Sequence, residues 1–306
     1  MNVTSPLTGS SNVIREREVP TDFIIKEYQK QLGVDVRRFF AGLDKVVLYR
    51  CEDSGYRFYH PFTVTGDSAF YETLQQHPWY YMDEKWEHRK ALESIANGQT
   101  VLEVGCAQGE FLTGLRNKGI DGTGLELNGH AASVGRKKGL NIAEESVQDH
   151  AQKNKEWYDV VCSFQVAEHI AAIGDFIRAS LDALKPGGKF IISVPNNDSF
   201  VFTTRPDDLL NMPPHHVGLW NVNSLIKLQH FFPVRIEELY MEPLQSYHTA
   251  FARSVLETNF LNKLQKKHLA WLPFVRTIGK RMIFMNIHAI REHITGHTIM
   301  AIYAKH

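Results

Sequence analysis

The stretch from Val101 to Gly109, VLEVGCAQG, constrains the fold of this chain more than any other. Four residues suited to a buried strand run into a turn bracketed by Gly105 and Gly109, and Glu110 to Leu115 then read as the start of a helix. A strand that feeds a glycine turn and a helix N-terminus is an arrangement that binds nucleotides, because unpaired backbone N–H groups sit where the ligand arrives. Lacking a Cβ, the two glycines let the backbone approach that ligand closely. Glu103 lies inside the strand. An acid there is poorly matched to a pyrophosphate and well matched to a ligand with a positively charged amino acid end.

The segments that follow extend the pattern. Gly122 to Glu126 reads as a second strand ending in an acid, a position that holds the two ribose hydroxyls of an adenosine. Tyr158 to Phe164 reads as a buried strand, and Leu184 to Pro195 as a Pro-Gly turn followed by another. Strands alternating with helices imply a parallel sheet wound on both faces. The G-x-G-x-x-G spacing is absent, which disfavours a nicotinamide dehydrogenase.

Taken in order, Glu103 to Gly109, Glu126, Tyr158 to Val161, Glu168-His169 and Lys185 to Gly188 resemble the class I S-adenosylmethionine-dependent methyltransferases. One departure is Gln108, which precedes Gly109 where the family has a third small residue. The resemblance implies an α/β fold with a Rossmann-like, doubly wound, seven-stranded sheet whose last strand is antiparallel. It implies S-adenosyl-L-methionine as cofactor and S-adenosyl-L-homocysteine as product. Carried onto this sequence, Glu103, Gly105, Cys106, Ala107 and Gly109 would hold the methionine end. Glu126 and Leu127 would lie at the ribose, Val147 and Gln148 at the adenine, and Phe164 and Gln165 near the methionine moiety.

Lys+Arg and Asp+Glu both number 34, so bulk charge does not point to nucleic acid. Three cysteines, Cys51, Cys106 and Cys162, cannot form a disulfide framework, and the cytoplasm is the compartment that fits them. Residues 1–20 begin with neither a basic nor an apolar run and read as a disordered tail. Residues 21–65 form a lead-in: a helix from Thr21, its expected cap, then a hairpin with Val46 to Arg50 and Tyr56 to Tyr59 about a turn. Cys51 stands alone there, with Ser54 where a second cysteine would be, so no four-ligand metal site is expected. The first 45 residues hold no histidine and no glycine-rich turn and are not expected to carry chemistry. Residues 66–246 and 294–306 are assigned to the methyltransferase domain. Residues 247–293 are a helical insert with an excess of Lys and Arg, which offers a surface for an anionic substrate or for peripheral contact with a membrane. The sequence does not specify an oligomeric state.

Aromatic residues between 66 and 96 would cover a sulfonium cation, with Tyr81 and Trp86 the expected contacts. Methyl transfer to a hydroxyl also needs a proton acceptor. Two histidine segments follow strand ends: Glu168-His169 and, after Pro213-Pro214, His215-His216. His216, His215 and His169 are the candidate bases, with Glu168 orienting His169 or a bound ion. The ubiquinone-pathway O-methyltransferases and plant small-RNA 2′-O-methyltransferases carry E-x-x-E-H in a divalent-metal site. Gln165 here replaces the first Glu, so a metal is not favoured. Scattered residues, including Tyr56 to Pro61, Asn211 to His216 and Gly296 to Thr298, resemble bacterial methyltransferases of sugars and surface polysaccharides. The expected reaction is therefore O-methylation of a sugar or glycan hydroxyl. A quinone or other small hydroxylated acceptor is the alternative within the enzyme class, and a non-catalytic partner-binding module is the alternative outside it.

Overall fold

The computed structural model describes residues 3–77, 85–199, 202–203, 205, 207–266 and 291–306. The chain opens with strand β1 (Val13–Pro20), helix α1 (Thr21–Leu32), and strands β2 (Lys45–Cys51) and β3 (Arg57–His60). Two helices, α2 (Ser68–Leu74) and α3 (Trp86–Glu93), lead to β4 (Thr100–Val104). Alternation then sets in: α4 (Glu110–Asn117), β5 (Asp121–Leu125), α5 (Gly129–Lys137), β6 (Asn141–Ala143), α6 (Val147–Lys153), β7 (Tyr158–Phe164), α7 (Ile173–Ala183) and β8 (Leu184–Pro195). The chain closes with β9 (Gly218–Leu219), α8 (Val222–Lys227), β10 (Val234–Pro243), α9 (Thr249–Lys266) and β11 (Thr295–Lys305).

The larger sheet has seven strands in the order β10-β11-β8-β7-β4-β5-β6. β4 pairs in parallel with β5 and β7, as do β5 with β6 and β7 with β8. The last strand, β11, runs antiparallel to β8 and β10. The expected sheet and its antiparallel final strand are therefore present. Alternate residues of the central strands feed two cores. Leu102, Val161 and Ile192 face one cluster, and Val101, Val160, Cys162 and Ile191 face the other. Helices cover both faces, which is why these strands read as nearly continuous apolar runs. The chain leaves β4 for β5 and β6 on one side and returns to β7 and β8 on the other. Such a reversal opens a crevice at the carboxyl ends of the strands.

The expected hairpin is present, with β2 antiparallel to β3. It belongs to a second, four-stranded sheet, β1-β2-β3-β9. The expectation of a disordered tail over residues 1–20 is corrected. Val13 to Pro20 pair with Cys51 to Lys45, Leu7 and Ser5 are buried, and the backbone N–H of Gly174 donates to the Pro6 carbonyl (3.0 Å). β1 is charged and mostly exposed, so its order comes from the backbone ladder, which composition does not reveal. Helix α1 starts as expected, but Thr21 does not cap it; its hydroxyl donates to the Leu43 carbonyl (2.6 Å).

The described part of the basic insert begins with α9, whose Ala252 packs with Leu244 and Ile294. Residues 267–290, with Lys267, Arg276, Lys280 and Arg281, lie outside the described residues. Among the described residues, no helix is long and apolar enough to cross a membrane, and all three cysteines are buried free thiols.

Candidate active site

The crevice above the strand ends is a cavity of about 1220 Å³. That exceeds the several hundred to about 1,000 Å³ of an ordinary ligand pocket and leaves space for two ligands side by side. Its floor begins at the turn after β4. Gly105 has φ +77°, and a Cβ there would meet Val166 at 2.4 Å, so only glycine fits. Ala107 also adopts a left-handed conformation, at φ 48°. Its backbone N–H donates to Glu126 Oε2 (2.8 Å), while Glu126 Oε1 accepts from the Asn128 N–H (2.8 Å). Glu126 thus ties the glycine turn to the start of α5, and its carboxylate also faces the cavity. Further along the same wall stand Leu127, Val147, Gln148, Phe164 and Gln165. Gln165, at the end of β7, has φ 56°, a strained conformation for a non-glycine residue of the kind that clusters at binding sites.

Three acids are buried in this region, Glu87 and Glu168 on the cavity wall and Glu103 within β4. Glu103 is 3% exposed, its Oε2 has no hydrogen-bond partner among the described residues, and burial holds its carboxyl well above the usual range. Burial also raises Glu87, and it pushes Glu168 up to about 8. Lys85 on the cavity wall counteracts burial at all three. A cavity bordered by buried acids in this state favours a cationic ligand, which would return to them the charge that burial suppresses.

The other side of the cavity is built by two loops that converge. A single 3₁₀ turn, Ala167–His169, follows β7 and carries Glu168 and His169. The loop of His215 and His216 lies between this turn and the N-terminal part of the chain. Val217 N–H donates to the Glu168 carbonyl (2.9 Å), Tyr59 N–H to the Val217 carbonyl (2.9 Å) and Gly66 N–H to the Pro214 carbonyl (2.9 Å). The Tyr71 hydroxyl donates to the His215 carbonyl (3.2 Å). His169 and His215 ring centroids are 4.8 Å apart, His169 and His216 4.9 Å, and His215 and His216 4.3 Å.

Each ring uses Nδ1 on an oxygen. His169 Nδ1 lies 2.7 Å from the His215 carbonyl, His215 Nδ1 2.8 Å from the Leu210 carbonyl, and His216 Nδ1 3.1 Å from Asn211 Oδ1. An Nδ1–H that donates leaves the lone pair on Nε2. Burial lowers His169 to about 4 and His215 to about 3, and holds His216 well below the ordinary value. All three are therefore neutral near pH 7. One ring nitrogen from each lies within 4.8 Å of the others, close enough to share an ion.

Of the residues expected from sequence, Gly105, Ala107, Glu126, Leu127, Val147, Gln148, Phe164, Gln165, Glu168, His169, His215 and His216 line the one cavity. Glu103, buried in β4 two residues before Gly105, is not among the residues that line it. Three other expected contacts are likewise not among the residues that line it. Cys106 turns away from the cavity and packs on Gly124, where a Cβ would meet its sulfur at 2.5 Å. Gly109 serves packing, because a Cβ there would meet Leu140 at 2.3 Å. Trp86 opens α3 and packs on the core cluster of Phe111 and Phe164 instead of covering the cavity. Tyr81 lies outside the described residues. Sequence reading missed Tyr71, Lys85 and Glu87, and also Glu242, His248 and His297 on the far wall. Of these, Tyr71 carried a signal as one of the aromatics between 66 and 96, and Glu87 and His297 lay within the scattered residues that resemble the sugar methyltransferases, with no site role read from them.

Residues 79–242 match a family model described as "Methyltransferase domain". Over 107 residues the chain is 34% identical to a ubiquinone biosynthesis O-methyltransferase of Serratia proteamaculans, which covers 33% of this chain and 44% of that protein. Over 118 residues it is 32% identical to the ubiquinone biosynthesis O-methyltransferase of Hydrogenovibrio crunogenus, covering 37% and 48%. The chain thus spans about half the length of the curated relatives it matches. A SAM dependent methyltransferase from Archaeoglobus fulgidus aligns in structure with a TM-score of 0.51 at 17% identity, over 77% of this chain and 100% of that one, a likeness of fold.

Proposed function

The chain belongs to the methyltransferase-domain family, and from that premise we propose that it transfers the methyl group of S-adenosylmethionine to the hydroxyl of a small phenol- or quinol-type acceptor. The observation that carries this reading is one continuous cavity running from the glycine turn and Glu126 to the three neutral histidines. The residues present fit the cofactor. Gly105 leaves room at the turn, Glu126 presents a carboxylate to a ribose, and the orphaned buried oxygen of Glu103 suits an ammonium group. When bound, the cofactor supplies an electrophilic methyl group on a good leaving group.

What this chain's residues must do is hold the acceptor oxygen in line with that methyl and take its proton. His216 and His215 are the proposed proton acceptors, positioned through Asn211 and the Leu210 carbonyl, with His169 beside them. Their Nε2 lone pairs are available at neutral pH, but burial makes them weak bases. A weak base is effective only on a relatively acidic hydroxyl. A phenol, with a pKa of about 10, is a far better match than an aliphatic sugar hydroxyl. The aromatic and aliphatic wall of Phe164, Phe176, Phe202, Leu209 and Leu210 favours the same choice. The bacterial relatives, ubiquinone biosynthesis O-methyltransferases, are consistent with it, and the sugar or glycan acceptor suggested by scattered residues is the weaker fit.

The same weak basicity supports a second reading of the histidines. His169, His215 and His216 fit a divalent ion, being three neutral imidazoles anchored by their Nδ1 atoms. Such an ion, when bound, would acidify the hydroxyl directly. The deciding experiment offers labelled S-adenosylmethionine with catechols, monophenols and nucleotide sugars. Label on catechols or monophenols is expected. Label confined to nucleotide sugars would overturn the acceptor, and absence of cofactor binding by calorimetry would overturn the enzyme reading itself.

A further inference from the structure

A second cluster faces the same cavity from the opposite wall. Glu242 lies at the end of β10, His297 near the start of β11, and His248 in the turn before α9. The sheet positions two of the three. Glu242 is 1% exposed, and its Oε2 accepts from the backbone N–H groups of His297 (3.2 Å) and Thr298 (3.1 Å). The His248 and His297 rings are 4.1 Å apart between centroids. Phe202 and Phe251 flank His297 at 6.0 and 5.6 Å. Both ring nitrogens of His297 are buried and without a hydrogen-bond partner among the described residues. A neutral imidazole must carry one N–H donor and one lone pair, and burying both unmet is costly unless something occupies the space between.

One ligand atom from each of Glu242, His248 and His297 lies within 4.8 Å of the other two. Some point is then within about 2.8 Å of all three, and a bond of about 2.0–2.2 Å needs only small side-chain rotations. We propose that Glu242, His248 and His297 bind a divalent transition-metal ion of the zinc class, with an open coordination position toward the cavity. Two imidazoles and a carboxylate suit a first-row divalent ion over calcium or magnesium, and three protein ligands leave at least one position free. β11 is two strands from β7, which sets the cluster about 10 Å across the sheet from the histidines at the β7 end. At that distance the ion would grip an oxygen at the far end of an acceptor. This role rests on the acceptor reading above; the ion site does not.

The test uses the full chain, freed of metal with a chelator and titrated with Co2+, whose visible absorption reports the ligand field. Wild type, His297→Ala, His248→Gln and His216→Ala are compared, with circular dichroism and S-adenosylhomocysteine affinity as fold controls. The expected result is Co2+ bound with visible bands in wild type and also in His216→Ala, which reports this site alone because it removes a ligand of the three-histidine cluster. Affinity should fall at least about 100-fold in His297→Ala and His248→Gln, since removing even a supporting group costs 10- to 100-fold. If His297→Ala does not fold, His248→Gln decides, because its position outside the sheet spares the strand ladder. No uptake by wild type, or uptake lost in His216→Ala and kept in the other two, overturns the proposal. Failure of wild type to bind S-adenosylhomocysteine would instead count against the methyltransferase reading and leave the ion site standing.

Discussion

Replacing Glu168 with Gln is expected to stabilise the unliganded protein at alkaline pH. The carboxyl is 1% exposed, its Oε2 has no hydrogen-bond partner among the described residues, and burial, partly offset by its own backbone N–H and by Lys85, sets its pKa at about 8 against an ordinary 4.5. Between those values the folded protein holds a proton that the unfolded chain has lost. Stability from this group is fully present below pH 4.5 and declines as pH rises through about 8. At about 1.4 kcal/mol per pH unit, the interval from 4.5 to about 8 corresponds to a ceiling of about 5 kcal/mol. Gln has nearly the same shape and no titration. Urea unfolding between pH 5 and 8.5 should therefore show wild type losing ground to Glu168→Gln, by several kcal/mol at the top of the range. The buried histidines act in the opposite sense. His169 and His215, lowered to about 4 and about 3, contribute stability that is present above pH 6.5 and lost as pH falls toward those values. They are common to both proteins, so the difference between the two curves isolates Glu168. Parallel curves would refute the argument that this carboxyl is buried protonated.

Glu126→Ala should weaken S-adenosylmethionine binding by about 1.5–3 kcal/mol, the range for hydrogen bonds to a charged group, measured by calorimetry. Alanine at His216 or His215 should slow turnover on a true acceptor by about 100- to 10,000-fold with cofactor affinity nearly unchanged, and assays with a chelator separate base from ion; unchanged rates in both variants would make these residues structural. Leu7→Ala should cost about 2–5 kcal/mol in denaturant unfolding, because Leu7 is 1% exposed in the main core; a neutral effect would restore the idea of a loose tail.

The central sheet was legible because its strands are buried on both faces, so that Val101 to Val104 and Tyr158 to Phe164 announce themselves by composition alone. The wall proposed for the cofactor was legible for a different reason: a glycine turn and the acid one strand later are tied to each other, as the Ala107–Glu126 hydrogen bond shows. The second sheet was only half legible. β2 and β3 flank a turn, but β1 is a charged edge and β9 is two residues long, and neither carries a periodic signal. The histidines at 169, 215 and 216 were found because they follow strand ends. Glu242, His248 and His297 were missed because nothing local joins a strand terminus, a turn and a residue 49 positions further on; only the β10–β11 pairing brings them together. Trp86 and Cys106 were misplaced because residue type alone cannot tell a ring or thiol that meets a ligand from one that fills the core.

The loop of His215 and His216 leans on residues that the family model does not cover. The match begins at residue 79, yet Tyr59, Gly66 and Tyr71 all hold this loop, and β9 completes the N-terminal sheet directly after it. The two halves of the proposed reaction centre thus differ in support: both lie in the family's shared segment, but the histidine loop is held by contacts from the first 74 residues. Grafting 79–242 onto another scaffold would transplant the cofactor cradle and leave the histidines without their frame. Altering what the enzyme methylates would therefore begin in the N-terminal sheet, which can be redesigned while the cradle stays as it is.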